Sequence, residues 1–121
     1  MRRKNVKSLQ EFKNPGGLYE LANLDHLDTG LPMLVWVSEK RASHGPRIKV
    51  ARTYNHRTIP GDTFSVSITN IPKVVAGDTG DITTKDVKLV FQWVILNKEL
   101  LLKYWHDHIV TRELYVELKK I

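Results

Sequence analysis

Apolar and polar residues alternate most cleanly along Phe64-Ser-Val-Ser-Ile-Thr69. Successive strand side chains point to opposite faces. The pattern therefore predicts a half-buried strand with Phe64, Val66 and Ile68 inward and Ser65, Ser67 and Thr69 outward. Residues 47–54 repeat it, with Ile48 and Val50 on one face and Arg47, Lys49 and Ala51 on the other. Residues 33–38 are apolar on both faces, which suits a central strand covered on both sides. Residues 71–75 predict a short edge strand, because Pro72 has no N–H to give to a ladder.

The period changes after Gly77-Asp-Thr-Gly80, a turn. Val87, Val90, Phe91, Val94, Ile95, Leu101, Tyr104 and Trp105 recur three and four residues apart, the mark of one broad helical face. Thr83 is the expected N-cap, with Asp86 placed to reach back to it. The helix is expected to run to about Trp105. Trp93, Leu96 and Leu100 carry its apolar surface round to a second side, to be covered by a final helix or by a second copy of the chain. Thr111 is expected to cap that final helix, residues 112–120, with Leu114, Leu118 and Ile121 inward.

Before residue 31 the pattern is weaker. Asn14-Pro-Gly-Gly17 is a strong breaker, and residues 1–17 read as a basic arm. Leu18, Leu21 and Leu24 share the spacing of a short helix, and residues 28–32 form a turn. The expected organisation is an extension over residues 1–30 and a compact domain over 31–121. The fold class is α+β: a three- to four-stranded, mainly antiparallel sheet with the long C-terminal helix on one face and a short terminal helix.

Composition narrows the function classes. At 121 residues, 41% hydrophobic and 26% charged, the chain is an ordinary globular domain. It has no cysteine, which removes disulfides, thiolate metal sites and cysteine nucleophiles together. No apolar run reaches the roughly 18–20 residues of a membrane span, and no apolar segment follows the basic N-terminus. A cytoplasmic protein without a cofactor is expected.

The net charge of +6 is placed unevenly. Residues 40–57 hold Lys40, Arg41, Arg47, Lys49, Arg52 and Arg57 and no acid, whereas residues 14–39 hold only acids among their charged residues. From residue 58 onward the charges cancel. A cationic block on a hairpin makes a local field, and a two-stranded ribbon has the width to lie along a phosphate backbone or enter a major groove. The candidate anion-binding residues are these six cations together with Arg2, Arg3 and Lys4 of the arm. Ser65, Ser67 and Thr69 extend their face with hydroxyls. Nucleic acid or an acidic protein is the expected partner.

Two histidines, His44 and His56, lie in the same stretch. With Arg47, and with Glu39 as a carboxylate partner, they hold the acid, base and cation that a metal-independent ribonuclease needs. The competing explanation is that His44-Gly45-Pro46 is a tight turn before a strand. His106-Asp107-His108 ends the long helix. Positions i and i+2 on a helix do not share a face, so no metal site is expected there.

From Leu31 onward the order of parts resembles a family of small bacterial proteins known only as a domain of unknown function, encoded near toxin–antitoxin or mobile-element loci. The resemblance is carried by the helix signature, here Leu89-Val90-Phe-Gln-Trp93 and Leu101-Leu102-Lys-Tyr-Trp105, after a Pro/His-containing hairpin turn. That family shows a Pro-Pro-His-x-His run entering the second strand. Pro46-Arg47-Ile48-Lys49 stands there in this chain, with cations in place of the paired imidazoles. The resemblance brings no established activity. The leading expectation is a non-enzymatic module binding an anion through residues 40–57. A small nuclease-type toxin is the runner-up.

Overall fold

Val35, Trp36 and Val37 are all buried, as a strand apolar on both faces requires. The structure, a computed structural model, describes residues 13–14, 17–18, 21–38, 44–56 and 61–121. A small antiparallel ladder pairs β1 (Lys13–Asn14) with β2 (Gly17–Leu18). The main sheet has five strands: β3 (Leu21–Leu24), β4 (Val35–Ser38), β5 (Arg47–Ala51), β6 (Thr63–Ser67) and β7 (Val74–Ala76). They lie in chain order, each antiparallel to the next. Three helices complete the described fold: α1 (His26–Thr29), α2 (Thr84–Trp105) and α3 (Thr111–Glu117). The class is α+β, with one more strand than the upper expectation.

The additional strand is β3. The three-residue leucine spacing suggests a helix there, and the structure corrects this. Ala22 and Leu24 are buried at a period of two while Asn23 between them is exposed. Pairing β3 with β4 satisfies a backbone edge that β4 would otherwise leave open. The sheet thus begins at Leu21, ahead of the Leu31 start expected for the compact domain. Asp25 then caps α1 by accepting from the Leu27 N–H, and Gly30 ends it in the left-handed conformation at φ +81°.

Register divides the sheet into two faces. Leu24, Val35, Val50 and Phe64 stand side by side across four strands, with Ile48 beside Val66 on the same face. All six are at most 1% exposed. Burying each contributes roughly 1.5–3 kcal/mol. These six side chains join Val87, Val90, Trp93, Val94, Leu101 and Tyr104 of α2 in the hydrophobic core, so we take this as the face toward α2. Trp36, Lys49, Ser65 and Ala76 form a row on the opposite face, with Arg47 beside Ser67.

On α2 the buried stripe comprises Val87, Val90, Trp93, Val94, Asn97, Leu101, Tyr104 and Trp105. Phe91 is only half-buried, and Ile95, expected inward, is 52% exposed. The stripe is rotated toward Trp93 and Asn97, because α3 and the C-terminal segment pack on that side. Asn97 Nδ2 donates to the Lys119 carbonyl at 3.0 Å, and its Oδ1 accepts from the Lys119 N–H at 2.9 Å. The Ile121 N–H then donates to Thr29 O at 2.9 Å. The final helix is shorter than expected. Its N-cap is Val110, whose N–H donates to Glu113 at 3.0 Å. Leu114 is buried, Leu118 half-buried and Ile121 exposed.

Candidate anion-binding face

Arg47 and Lys49 are two residues apart on β5, so both side chains leave the sheet on the face away from α2. Their cross-strand neighbours on β6 are Ser67 and Ser65. The structure therefore brings these four residues together, as the alternation predicts. Neither cation is ion-paired to a carboxylate among the described residues; the ion pairs there belong to Arg52. The Arg47 Nε is out of contact with water and has no hydrogen-bond partner.

The serines differ from expectation. Ser65 is 6% and Ser67 8% exposed, so neither is displayed. Ser67 Oγ is also occupied, accepting from the Lys73 N–H at 3.1 Å and sharing a hydrogen bond with Thr69 Oγ1 at 3.1 Å. Of the three hydroxyl residues only Thr69 is exposed. Trp36, next to Lys49, is 3% exposed.

Arg52 follows β5 and is committed inside the fold, not offered to an outside anion. Its Nη1 donates to Asp62 at 2.8 Å and its Nη2 to Asp78 at 2.6 Å. Its Nε donates to the Asp78 carbonyl at 3.2 Å. The Asp78 carboxylate also accepts from the Gly80 N–H at 3.0 Å. Arg52, then Gly80, hold the Asp78 carboxyl below its usual range, and Asp78, then Asp62, raise the guanidinium pKa. The Gly77–Gly80 turn supplies one of these acids, and its spacing from Arg52 in sequence hides the pairing. Lys40, Arg41, Arg57, Arg2, Arg3 and Lys4 lie outside the described residues, as does Glu39.

The nuclease triad is not assembled. His44 stacks at a tilt on Trp105, with ring centroids 5.7 Å apart, and its Nδ1 lies 3.0 Å from Gly45 O. His56 follows Tyr54 by two residues, and the Tyr54 hydroxyl bonds Thr83 and Asp86 at 3.0 and 2.7 Å. Trp105 ends α2 and Thr83 caps its start. At 1.5 Å per residue the two ends of this helix are roughly 30 Å apart. His44 and His56 thus sit at opposite ends of the domain, and Arg47 cannot serve both.

At the end of α2, Asp107 adopts φ 62° and turns His106 and His108 to the same side, with centroids 6.0 Å apart. The helical spacing argument does not apply there, because the helix has ended. No three His, Asp or Glu side chains converge as metal ligands among the described residues. A cleft of about 430 Å³ opens between α2 and the C-terminal segment. Its rim mixes Lys98, Lys103 and Lys119 with Glu99 and Glu117, so it carries no strong field of one sign.

No helix among the described residues is long and apolar enough to cross a membrane. No family model matches this chain, and neither a curated protein nor a solved structure similar to it is found.

Proposed function

We propose that this protein is a non-enzymatic binding module of the cytoplasm that takes nucleic acid on the sheet face bearing Arg47 and Lys49. One observation carries the reading: the Arg47 Nε is buried without a partner, two strand positions from Lys49, which forms no ion pair with a carboxylate among the described residues. Desolvating a cation costs stability, and an incoming phosphate offsets that cost with charge-assisted hydrogen bonds in a poorly screened setting. Lys40, Arg41 and Arg57 add charge from the same stretch of sequence, and Arg2, Arg3 and Lys4 from the arm. The resemblance of residues 31–121 to proteins encoded near toxin–antitoxin or mobile-element loci supplies a setting in which such a module is useful.

Fluorescence anisotropy with short DNA and RNA tests this. Binding is expected at low salt, with a steep loss as salt rises, and Arg47→Ala with Lys49→Ala weakens it. Retention on polyglutamate without binding to nucleic acid would replace the partner by an acidic protein. Absence of retention on heparin and on nucleic acid at low salt removes the reading. A second element is self-association through α2, supported by Ile95 and Leu96, which are 52% and 44% exposed. Sedimentation that yields only a 14.0 kDa species at micromolar concentration overturns it.

A further inference from the structure

We infer that the Arg47/Lys49 face grips the sugar-phosphate backbone of a double-stranded nucleic acid and reads no bases, an inference that rests on the nucleic-acid reading above. Three observations point this way. Arg47 and Lys49 sit in line on one strand, roughly 6.7 Å apart at two strand residues. That repeat is close to the spacing of successive phosphates along one nucleic-acid strand.

The second observation concerns stacking. Single-strand binders stack their bases on exposed aromatic rings. The aromatic beside these cations, Trp36, is 3% exposed, and the row continues through Ser65 and Ala76, which have no ring. Tyr54 lies past the far end of β5, and its hydroxyl is held by Thr83 and Asp86. Among the described residues unstacked bases would meet no platform beside Arg47 and Lys49, whereas a duplex keeps its bases stacked and presents phosphates outward.

The third is the donor set of Arg47. Its Nε is buried without a partner, so that donor is closed to an incoming group. A guanidinium with that donor closed offers fewer hydrogen bonds to a base edge, whereas a phosphate contact needs only charge and one or two donors.

The experiment compares a short duplex with thymidine and mixed-sequence single strands of matched phosphate number, using the full chain and its Arg47→Ala and Lys49→Ala variants over a salt series. Tighter binding to the duplex than to either single strand is expected, with no dependence on duplex sequence. Removing either cation should lower the duplex salt slope by about 0.9, so that a fourfold rise in salt costs the variant roughly threefold less affinity than it costs the parent. Single-strand binding equal to or tighter than duplex binding overturns the inference while leaving the nucleic-acid reading in place. So does a duplex sequence preference lost with Arg47→Ala. Failure to bind any nucleic acid overturns the parent reading instead, and this inference with it. Circular dichroism of each variant separates lost binding from lost fold.

Discussion

The Tyr54 hydroxyl donates to the Asp86 carboxylate at 2.7 Å and so completes the cap of a helix that begins some thirty residues later in the chain. The same oxygen accepts from the Thr83 N–H at 3.0 Å, while Thr83 Oγ1 accepts from the Asp86 N–H at 3.1 Å. In an ordinary capping box the acidic residue reaches the cap N–H directly. Here a tyrosine stands between them and ties the end of the β5 segment to the start of α2. Tyr54→Phe keeps the ring and removes both bonds. A loss of about 1 kcal/mol is expected, or roughly 3–5 °C in Tm for a domain of this size. A denaturation midpoint equal to the parent's would show that water replaces the hydroxyl at no cost.

Asp78 and Asp28 should pull the acid limb of stability in opposite directions. The Arg52 hydrogen bond, then the Gly80 N–H, lower the Asp78 pKa. The folded state therefore binds this proton less readily than the unfolded chain. The resulting stability is fully present above the ordinary aspartate range and is lost as pH falls through the lower, folded value. Asp28 is raised, first by burial, and its proton is held more tightly when folded. It costs stability as pH rises through the ordinary range and beyond. Urea midpoints from about pH 3 to pH 7 should therefore rise less steeply in Asp78→Asn than in the parent, and more steeply in Asp28→Asn. Parallel curves for all three would refute both assignments.

The C-terminal segment depends on one buried amide. Asn97 is 3% exposed and uses both ends of its side chain on Lys119. Asn97→Leu fills similar space but leaves the Lys119 N–H and carbonyl without those partners. A loss of about 2 kcal/mol is expected, with faster hydrogen exchange at the Lys119 and Ile121 amides. Unchanged exchange there would mean that α3 alone holds the chain end.

Gly30 meets the same chain end. Its φ is +81°, and a Cβ placed there would run into the Ile121 carbonyl oxygen. Gly30→Ala should therefore cost more than the roughly 1–2 kcal/mol of a left-handed alanine. The excess should vanish in a chain that lacks Ile121. If the cost is equal in both backgrounds, strain alone accounts for it.

Much of this fold can be read from residue spacing, and the failures have physical causes. Alternation at 64–68 and 47–50 identifies the α2-facing core, because the sheet buries that face completely. The same alternation identifies which side Ser65 and Ser67 take but not their burial, which depends on what packs over that face and not on the spacing along the strand. Leu18, Leu21 and Leu24 fit a helical period, and β3 forms instead because the open edge of β4 supplies hydrogen bonds that no local pattern encodes. At the candidate site, the placement of Arg47 and Lys49 follows from sequence. The diversion of Arg52 to Asp62 and Asp78 does not, since those acids are brought in by turns distant in the chain. The separation of His44 from His56 likewise needs α2 as a ruler.

Arg47 and Arg52 offer the sharpest comparison, because they share a residue type and lie close along one segment but differ in what surrounds them. Arg52 holds two carboxylates and the backbone of the Gly77–Gly80 turn together, and removing it leaves Asp62 and Asp78 without their cation. Arg47 satisfies no partner with its covered Nε. A residue retained for binding, not for folding, is neutral or unfavourable to the free protein. Arg52→Met should therefore lower the denaturation midpoint and leave affinity for nucleic acid largely unchanged in whatever remains folded. Arg47→Met should leave the midpoint unchanged or raise it, while weakening binding. Paired denaturation and anisotropy measurements on the two variants check both halves. A destabilised Arg47→Met protein with full affinity would make Arg47 a structural residue and move the anion site elsewhere.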